Sequence, residues 1–387
     1  MKFDLVVEGK IVNPERIFEA QIGIEDGVIK EIKRQGLEGE ERIVVRNGMI
    51  FPGFIDSHVH LREDSSHKWD YKEDFETGSK AAAHGGVTTV IDMPNNFLPA
   101  VTESRILEKI ELAKKSTVDV LFHGGVDKGH FDEIKKMSRH VVGYKIYLSE
   151  TTGGLTLDRN ALGIVLGGIK ETGLPAVFHL DEKQQILKEF LDLAKRSKVK
   201  MHIAHVSKSL SVATLKNSNL TYEITPHHII FDQSDEGKIK FLTMNPPLGT
   251  KVDRMAVINA LKTGQVFSLA TDHAPHSIED KENGARGVPG LDVYGNIVSW
   301  LLNSLRLDPT YVARLTSFNI AKLFDLKGKG ELSQGNPADI SILKFEPEKV
   351  DSANHFTKCG WSPYDGMMFP GKVAYTIFNG NVIYSND

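Results

Sequence analysis

The chain has 387 residues, 40% of them hydrophobic and 25% charged, with a formal net charge of -4 at pH 7. That length allows two or three average domains, or one large barrel with an appendage, and the charge balance gives no electrostatic case for a nucleic-acid or membrane-surface partner. The single cysteine, Cys359, excludes an intrachain disulfide framework, fits a reducing cytoplasm, and leaves His, Asp, Glu or modified Lys as the ligands of any metal site.

The first five residues, Met1-Lys2-Phe3-Asp4-Leu5, put an acid where a signal peptide would be apolar, and no apolar run approaches the roughly 18–20 residues that span a bilayer. A cytoplasmic protein is expected. Residues 1–50 read as short strands at Leu5-Val6-Val7, Lys10-Ile11-Val12, Gln21–Ile24 and Val28–Ile32, punctuated by Glu8-Gly9, Asn13-Pro14 and Asp26-Gly27. Asp-Gly is a hairpin signal because a type I′ turn needs positive φ at both central residues.

From residue 51 to 328 apolar strands alternate with amphipathic segments. The opening strand at 50–56 is followed by strands at Val87–Met93, Val118–Phe122, Val141–Leu148, Ala176–Leu180, Val199–Val206, Leu220–Thr225 and Val266–Ala270. Helical patterns fall at Ser104–Lys115, Leu155–Glu171, Glu182–Ser197 and Val252–Thr263. Eight β-then-α units predict a (β/α)8 TIM barrel over 51–328. An open doubly wound sheet is the competing architecture, but no G-x-G-x-x-G follows any strand. Strand texture returns at Ala338–Leu343, Val373–Phe378 and Asn381–Tyr384, the last two flanking Asn379-Gly380. Residues 1–50 and 329–387 are each too small to bury a core, so they are expected to combine into one β-sandwich.

Polar residues at the ends of the barrel strands carry the chemistry. His58 and His60, two apart on a strand, share a face. Lys145 interrupts the apolar run Val141–Leu148, where burial favours the neutral amine; as such it can add carbon dioxide to give an anionic carbamate. His179 and His205 end strands 26 residues apart, the span of one βα unit, whereas His202 has the opposite strand parity. Asp272 follows the last barrel strand and suits a general base or a metal ligand. Singly, each of these is as readily a structural polar residue. Together they offer four neutral nitrogens and two anionic groups, enough for two divalent metals about 3.5–4 Å apart.

This set, with several local motifs, resembles the amidohydrolase superfamily of cyclic amide hydrolases and within it the dihydroorotase family, from about residue 4 to 385. The motifs include Asp56–Glu63, Gly85–Val90 leading into Met93-Pro94-Asn95, Lys145–Thr151, Thr225-Pro226-His227-His228, Met244–Leu248, Thr271–His276, Gly287–Gly290 and Ser362–Gly366. The resemblance implies two zinc ions per subunit, one on His58 and His60 and the other on His179 and His205. It makes carboxylated Lys145 the bridge and Asp272 both ligand and proton shuttle. Arg62, Asn95 and His276 would grip a substrate carboxylate, with Asn245 and the Pro289-Gly290 backbone on the ring amide and Thr151 on a loop over the mouth. The implied reaction is reversible cyclisation of N-carbamoyl-L-aspartate to (S)-dihydroorotate in pyrimidine synthesis, through a metal-bridging hydroxide. Because Asp272 must start protonated for ring closure, that direction should be favoured at lower pH. The resemblance leaves open a homodimer or an association with aspartate transcarbamoylase. Alternative readings are a hydantoinase or allantoinase, whose substrates lack the carboxylate, and a non-catalytic partner subunit on the same fold.

The chain also departs from the family pattern. Where dihydroorotases commonly read Arg-Glu-Pro-Gly, it has Arg62-Glu63-Asp64-Ser65 and extra residues from Ser66 to Tyr71 before Lys72-Glu73-Asp74. Gly249 stands where an Arg often follows Pro-Pro-Leu. The extra stretch is expected at the barrel mouth. His123, His227, His228 and His273 are read as supporting rather than ligating residues.

Overall fold

The computed structural model describes residues 2–149 and 154–386 and sorts the strands into two large sheets and a small one. The first large sheet draws on both ends of the chain. Its N-terminal strands are β1 Lys2–Val12, β2 Ile17–Glu25, β3 Val28–Lys33, β4 Glu38–Val44 and β5 Gly48–Pro52. Eight barrel strands follow: β6 Phe54–Val59, β7 Val87–Asp92, β8 Asp119–Gly125, β9 Gly143–Tyr147, β10 Ala176–His179, β11 Met201–Ile203, β12 Thr221–Ile224 and β13 Ser268–Leu269. The C-terminal strands are β14 Ile340–Lys344, the short pair β15 Glu348–Lys349 and β16 Met368–Phe369, then β17 Lys372–Phe378 and β18 Asn381–Ser385.

The terminal sheet runs β18-β17-β14-β5-β1-β2-β3, with β4 parallel to β1. Its strands are rich in β-branched residues that pack well on a pleated surface. Val7, Ile11, Ile22, Ile24, Ile29, Ile50, Ile340, Ile342 and Ile377 form its core. Asp26 (φ 52°) and Gly27 (φ 75°) make the β2–β3 turn, and Asn379 (φ 47°) and Gly380 (φ 76°) the β17–β18 turn, as their sequences predict. Glu8-Gly9 is no turn. Leu5–Val7 and Lys10–Val12 lie in one continuous strand, and glycine is needed at position 9 because a Cβ there would lie 2.8 Å from the Val45 carbonyl oxygen.

The apolar run 49–55 serves both sheets. Ile50 pairs with Ile342 in the terminal sheet, whereas Phe54 opens the barrel beside Val87. The crossing is at Gly53, where any side chain would collide with Thr88. Ser341 joins the two sheets, its hydroxyl accepting from the Phe54 amide at 2.9 Å and donating to the Gly86 carbonyl.

Strands β6 to β13 are successive parallel neighbours. Closure comes just past their ends, where Val59 bridges His273 and the His60 amide donates to the His273 carbonyl at 2.8 Å. Helices such as Phe75–His84, Glu103–Leu112, Leu162–Thr172, Gln184–Ser197 and Lys251–Lys262 wrap the outside. The helix expected from Leu155 begins at Leu162, after a short 3-10 turn capped by Asp158. Among the described residues no helix is long and apolar enough to cross a membrane.

Candidate metal centre and substrate cavity

A cavity of about 350 Å³ opens at the C-terminal ends of the barrel strands. His58, His60, Arg62, Asn95, His179, His205, Asn245 and Asp272 line it together. Arg62, His205 and Asp272 all have positive φ (62°, 39° and 49°) although none is glycine. Such backbone costs of order 1–3 kcal/mol per residue, and it aims side chains inward just beyond their strands.

Two donor groups converge on the cavity floor. His60 Nε2 and His58 Nε2 lie 3.0 and 3.2 Å from Asp272 Oδ1. Lys145 Nζ, fully buried, is 3.4 Å from His58 Nε2. Across the floor, His179 Nδ1 faces His205 Nε2 at 2.7 Å. Ligands about 2.0–2.1 Å from a tetrahedral zinc stand about 3.3 Å apart, so the Asp272-centred spacings fit a shared cation. The outer nitrogens fit as well: Nδ1 of His58 meets Glu223 Oε1 at 2.5 Å and Nδ1 of His60 meets Asn95 Oδ1 at 2.7 Å. Both partners accept, so each Nδ1 carries the proton and each Nε2 presents a lone pair inward.

Burial sets the protonation states. It pushes His60 and His179 down to about 3 and His205 well below its ordinary value, keeping these rings neutral. Burial alone would raise Asp272, but its neighbours His58 and His60 outweigh it and hold the carboxyl well below the usual range. Lys145 is lowered to about 8 by burial, which favours the free amine. The donor set is therefore imidazoles, one carboxylate and one lysine whose free amine is brought within easier reach, a set suited to divalent zinc.

The other wall carries a buried cation. Arg62 is 3% exposed; its Nη2 lies 3.4 Å from His276 Nε2, its Nε has no partner, and among the described residues no carboxylate lies within ion-pair distance. Burial lowers it only to about 10, so it stays charged at neutral pH. Asn245 lines the same cavity. In the Pro289-Gly290 segment the Gly290 amide points at Nδ1 of His273, 3.1 Å away, and Gly287 lines the cavity. Thr151 lies outside the described residues.

Several contributors were not foreseen. Glu223, on β12, also lies 3.4 Å from His202 Nε2, which places His202 behind the site. Its only sequence signal is an acid inside the apolar Tyr222–Ile224 run, the same anomaly that marks Lys145. Tyr147 and Arg286 line the cavity. The extra stretch after Asp64 sits beside the mouth, with Trp69 packed edge-on against Phe97 and Tyr71 donating to Asp280 at 3.0 Å.

Known proteins agree with this architecture. The profile of the "Amidohydrolase family" matches residues 49–383. A protein named dihydroorotase from Pyrococcus abyssi is 34% identical, aligned over 99% of this chain and 96% of its own. Another of that name, from Methanosphaera stadtmanae, is 31% identical over 97% of this chain and 94% of its own. The solved L-hydantoinase (dihydropyrimidinase) of Arthrobacter aurescens superposes with a TM-score of 0.93 at 25% identity, covering 99% of this chain and 96% of that one. By profile, by relatives along nearly its whole length and by barrel architecture, the chain belongs to the amidohydrolase family.

Proposed function

We propose that the protein is a dihydroorotase, which interconverts N-carbamoyl-L-aspartate and (S)-dihydroorotate in pyrimidine synthesis. The observation that carries this reading is Arg62: a charged, buried guanidinium, with no carboxylate partner among the described residues, facing the cavity that holds the histidines and Asp272. A buried charge without a partner is costly, so a ligand carboxylate is the natural complement, and the guanidinium fork suits it bidentately. Dihydroorotate carries such a carboxylate. The dihydroorotases among its relatives point the same way.

In this reading His58 and His60 hold one zinc ion and His179 and His205 a second, with Lys145, carboxylated by carbon dioxide, and Asp272 completing the set. Bound there, the ions supply Lewis-acid polarisation of the amide carbonyl and a lowered pKa for an intervening water. The chain's own residues do the rest. Arg62, Asn95 and His276 orient the substrate through its carboxylate, and Asn245 faces its amide. Asp272, held ionised, accepts the proton of the attacking water and hands it to the departing ring nitrogen. Ring closure reverses these transfers and starts from protonated Asp272. Purified protein loaded with zinc should cyclise carbamoyl aspartate, and absence of turnover in both directions would overturn the reading.

The hydantoinase structural neighbour favours a second reading, hydrolysis of a cyclic amide without a carboxylate. Under that reading Arg62 would be dispensable for turnover.

A further inference from the structure

Arg286 lies at the rim of the cavity, among Asn245, Ala274, Gly284 and Gly287. It is exposed, and among the described residues no carboxylate pairs with it, nor does a hydrogen bond or aromatic face engage it. Asp280, on the short helix Ile278–Glu282 that precedes Arg286, is already held by Tyr71 and Lys72.

The backbone on both sides of Arg286 is fixed. Thr243 Oγ1 donates to the Ala285 carbonyl at 3.3 Å, and the Gly287 amide donates to the Thr243 carbonyl at 2.9 Å. Buried Lys281 closes the frame, its ammonium donating to the Thr243 carbonyl, Thr243 Oγ1 and the Gly287 carbonyl at 2.8–2.9 Å. Those three bonds use every donor of the ammonium. Gly287, at φ 140°, could not be another residue without strain, and its Cβ would lie 2.6 Å from the Ala274 carbonyl. A cation with no partner among the described residues is thus carried between two pinned neighbours, on a clamp whose Thr243 lies two residues before Asn245.

We infer that Arg286 is a second cationic anchor that captures the doubly charged, open-chain substrate and discriminates it from singly charged or neutral cyclic amides. The inference rests on the dihydroorotase reading. Carbamoyl aspartate has two carboxylates at neutral pH and dihydroorotate one. Arg62, deep in the cavity, answers the carboxylate both share; a cation at the rim adds attraction in proportion to total charge. A rim charge acts chiefly on encounter and on salt dependence.

The test compares wild type, Arg286→Gln and Arg286→Lys, all zinc-loaded, in both directions across ionic strength. For Arg286→Gln, kcat/KM on carbamoyl aspartate should fall on the order of tenfold at low salt, mostly through KM. The loss on dihydroorotate should be smaller, and both should shrink toward 0.5 M salt, roughly where the Debye length falls to a few ångströms. Arg286→Lys should retain most of the wild-type value and salt slope. A Gln variant with wild-type KM and slope, an equal and salt-independent loss on both substrates, or a Lys variant as impaired as Gln would each overturn the inference. Wild type that turned over neither substrate would overturn the parent reading and this one with it; an active wild type with a silent Gln variant would overturn this one alone.

Discussion

Nδ1 of His58 lies 2.5 Å from Oε1 of Glu223, a residue 165 positions away on β12. The carboxylate fixes the ring's tautomer, points Nε2 at Asp272 and Lys145, and adds negative charge behind the imidazole. Outer carboxylates of this kind raise ligand basicity, and their loss typically costs about 10–100-fold in metal affinity or activity. Glu223→Gln should therefore weaken zinc binding by that range while the fold persists. Zinc titration against a competing chelator, with circular dichroism as the fold control, checks it; unchanged zinc affinity would sink the assignment.

Arg62→Ala removes one side of a desolvated charge pair with the substrate. Truncating such a pair costs about 2–5 kcal/mol, or roughly 30- to 5,000-fold. We expect kcat/KM on dihydroorotate to fall within that range, with no comparable effect on any residual hydantoin hydrolysis. Steady-state kinetics on both compounds decides between the two readings, since unimpaired dihydroorotate turnover would favour the hydantoinase.

Lys145 is fully buried, and burial lowers it to about 8. A free amine in that position can take up carbon dioxide, and the resulting carbamate adds anionic oxygens to those of Asp272. Zinc-loaded protein prepared in 13C-bicarbonate should show one protein-bound carbamate carbon resonance. Lys145→Arg, which keeps the charge but cannot form the carbamate, should lose both that signal and turnover. A wild-type spectrum without the resonance would refute carboxylation directly.

His58, His60, Lys145, His179, His205 and Asp272 were legible in the sequence because each ends or interrupts an apolar strand, and a barrel brings strand ends to one face. Strand parity also kept His202 out of the cavity lining, where the structure puts it against Glu223 and Thr221. What could not be read is pairing across large separations. Glu223 stands behind His58 only because barrel closure leaves β12 one strand from β6, with β13 between them, and nothing local to either residue says so. Gly9 looked like a turn because its local signal is the same whether glycine serves a bend or the close approach of Val45. Nor does the sequence say that the Gly290 amide is taken by Nδ1 of His273, which lies 17 positions away.

The segment that carries His60 and Arg62 depends on a buried ion pair outside the cavity. Asp92, at the end of β7, accepts from the Leu61 amide at 2.8 Å and pairs with Lys109 at 2.6 Å, their side chains 0% and 3% exposed. Lys109 also donates to the Met93 carbonyl at 3.0 Å and to Asn96 Oδ1 at 2.7 Å, so its three protons are all engaged. Lys109→Met keeps most of the side-chain volume but strands the Asp92 charge beside the strand that presents the metal ligands. Breaking a buried pair in this way costs roughly 3–5 kcal/mol, whereas replacing both members is far better tolerated. Urea unfolding should show that loss for Lys109→Met, with a substantial part of it recovered in Lys109→Met/Asp92→Asn, because the neutral amide can still accept from Leu61. A single variant less than about 1 kcal/mol below wild type would place the pair among ordinary surface contacts and remove it as the support of this strand end.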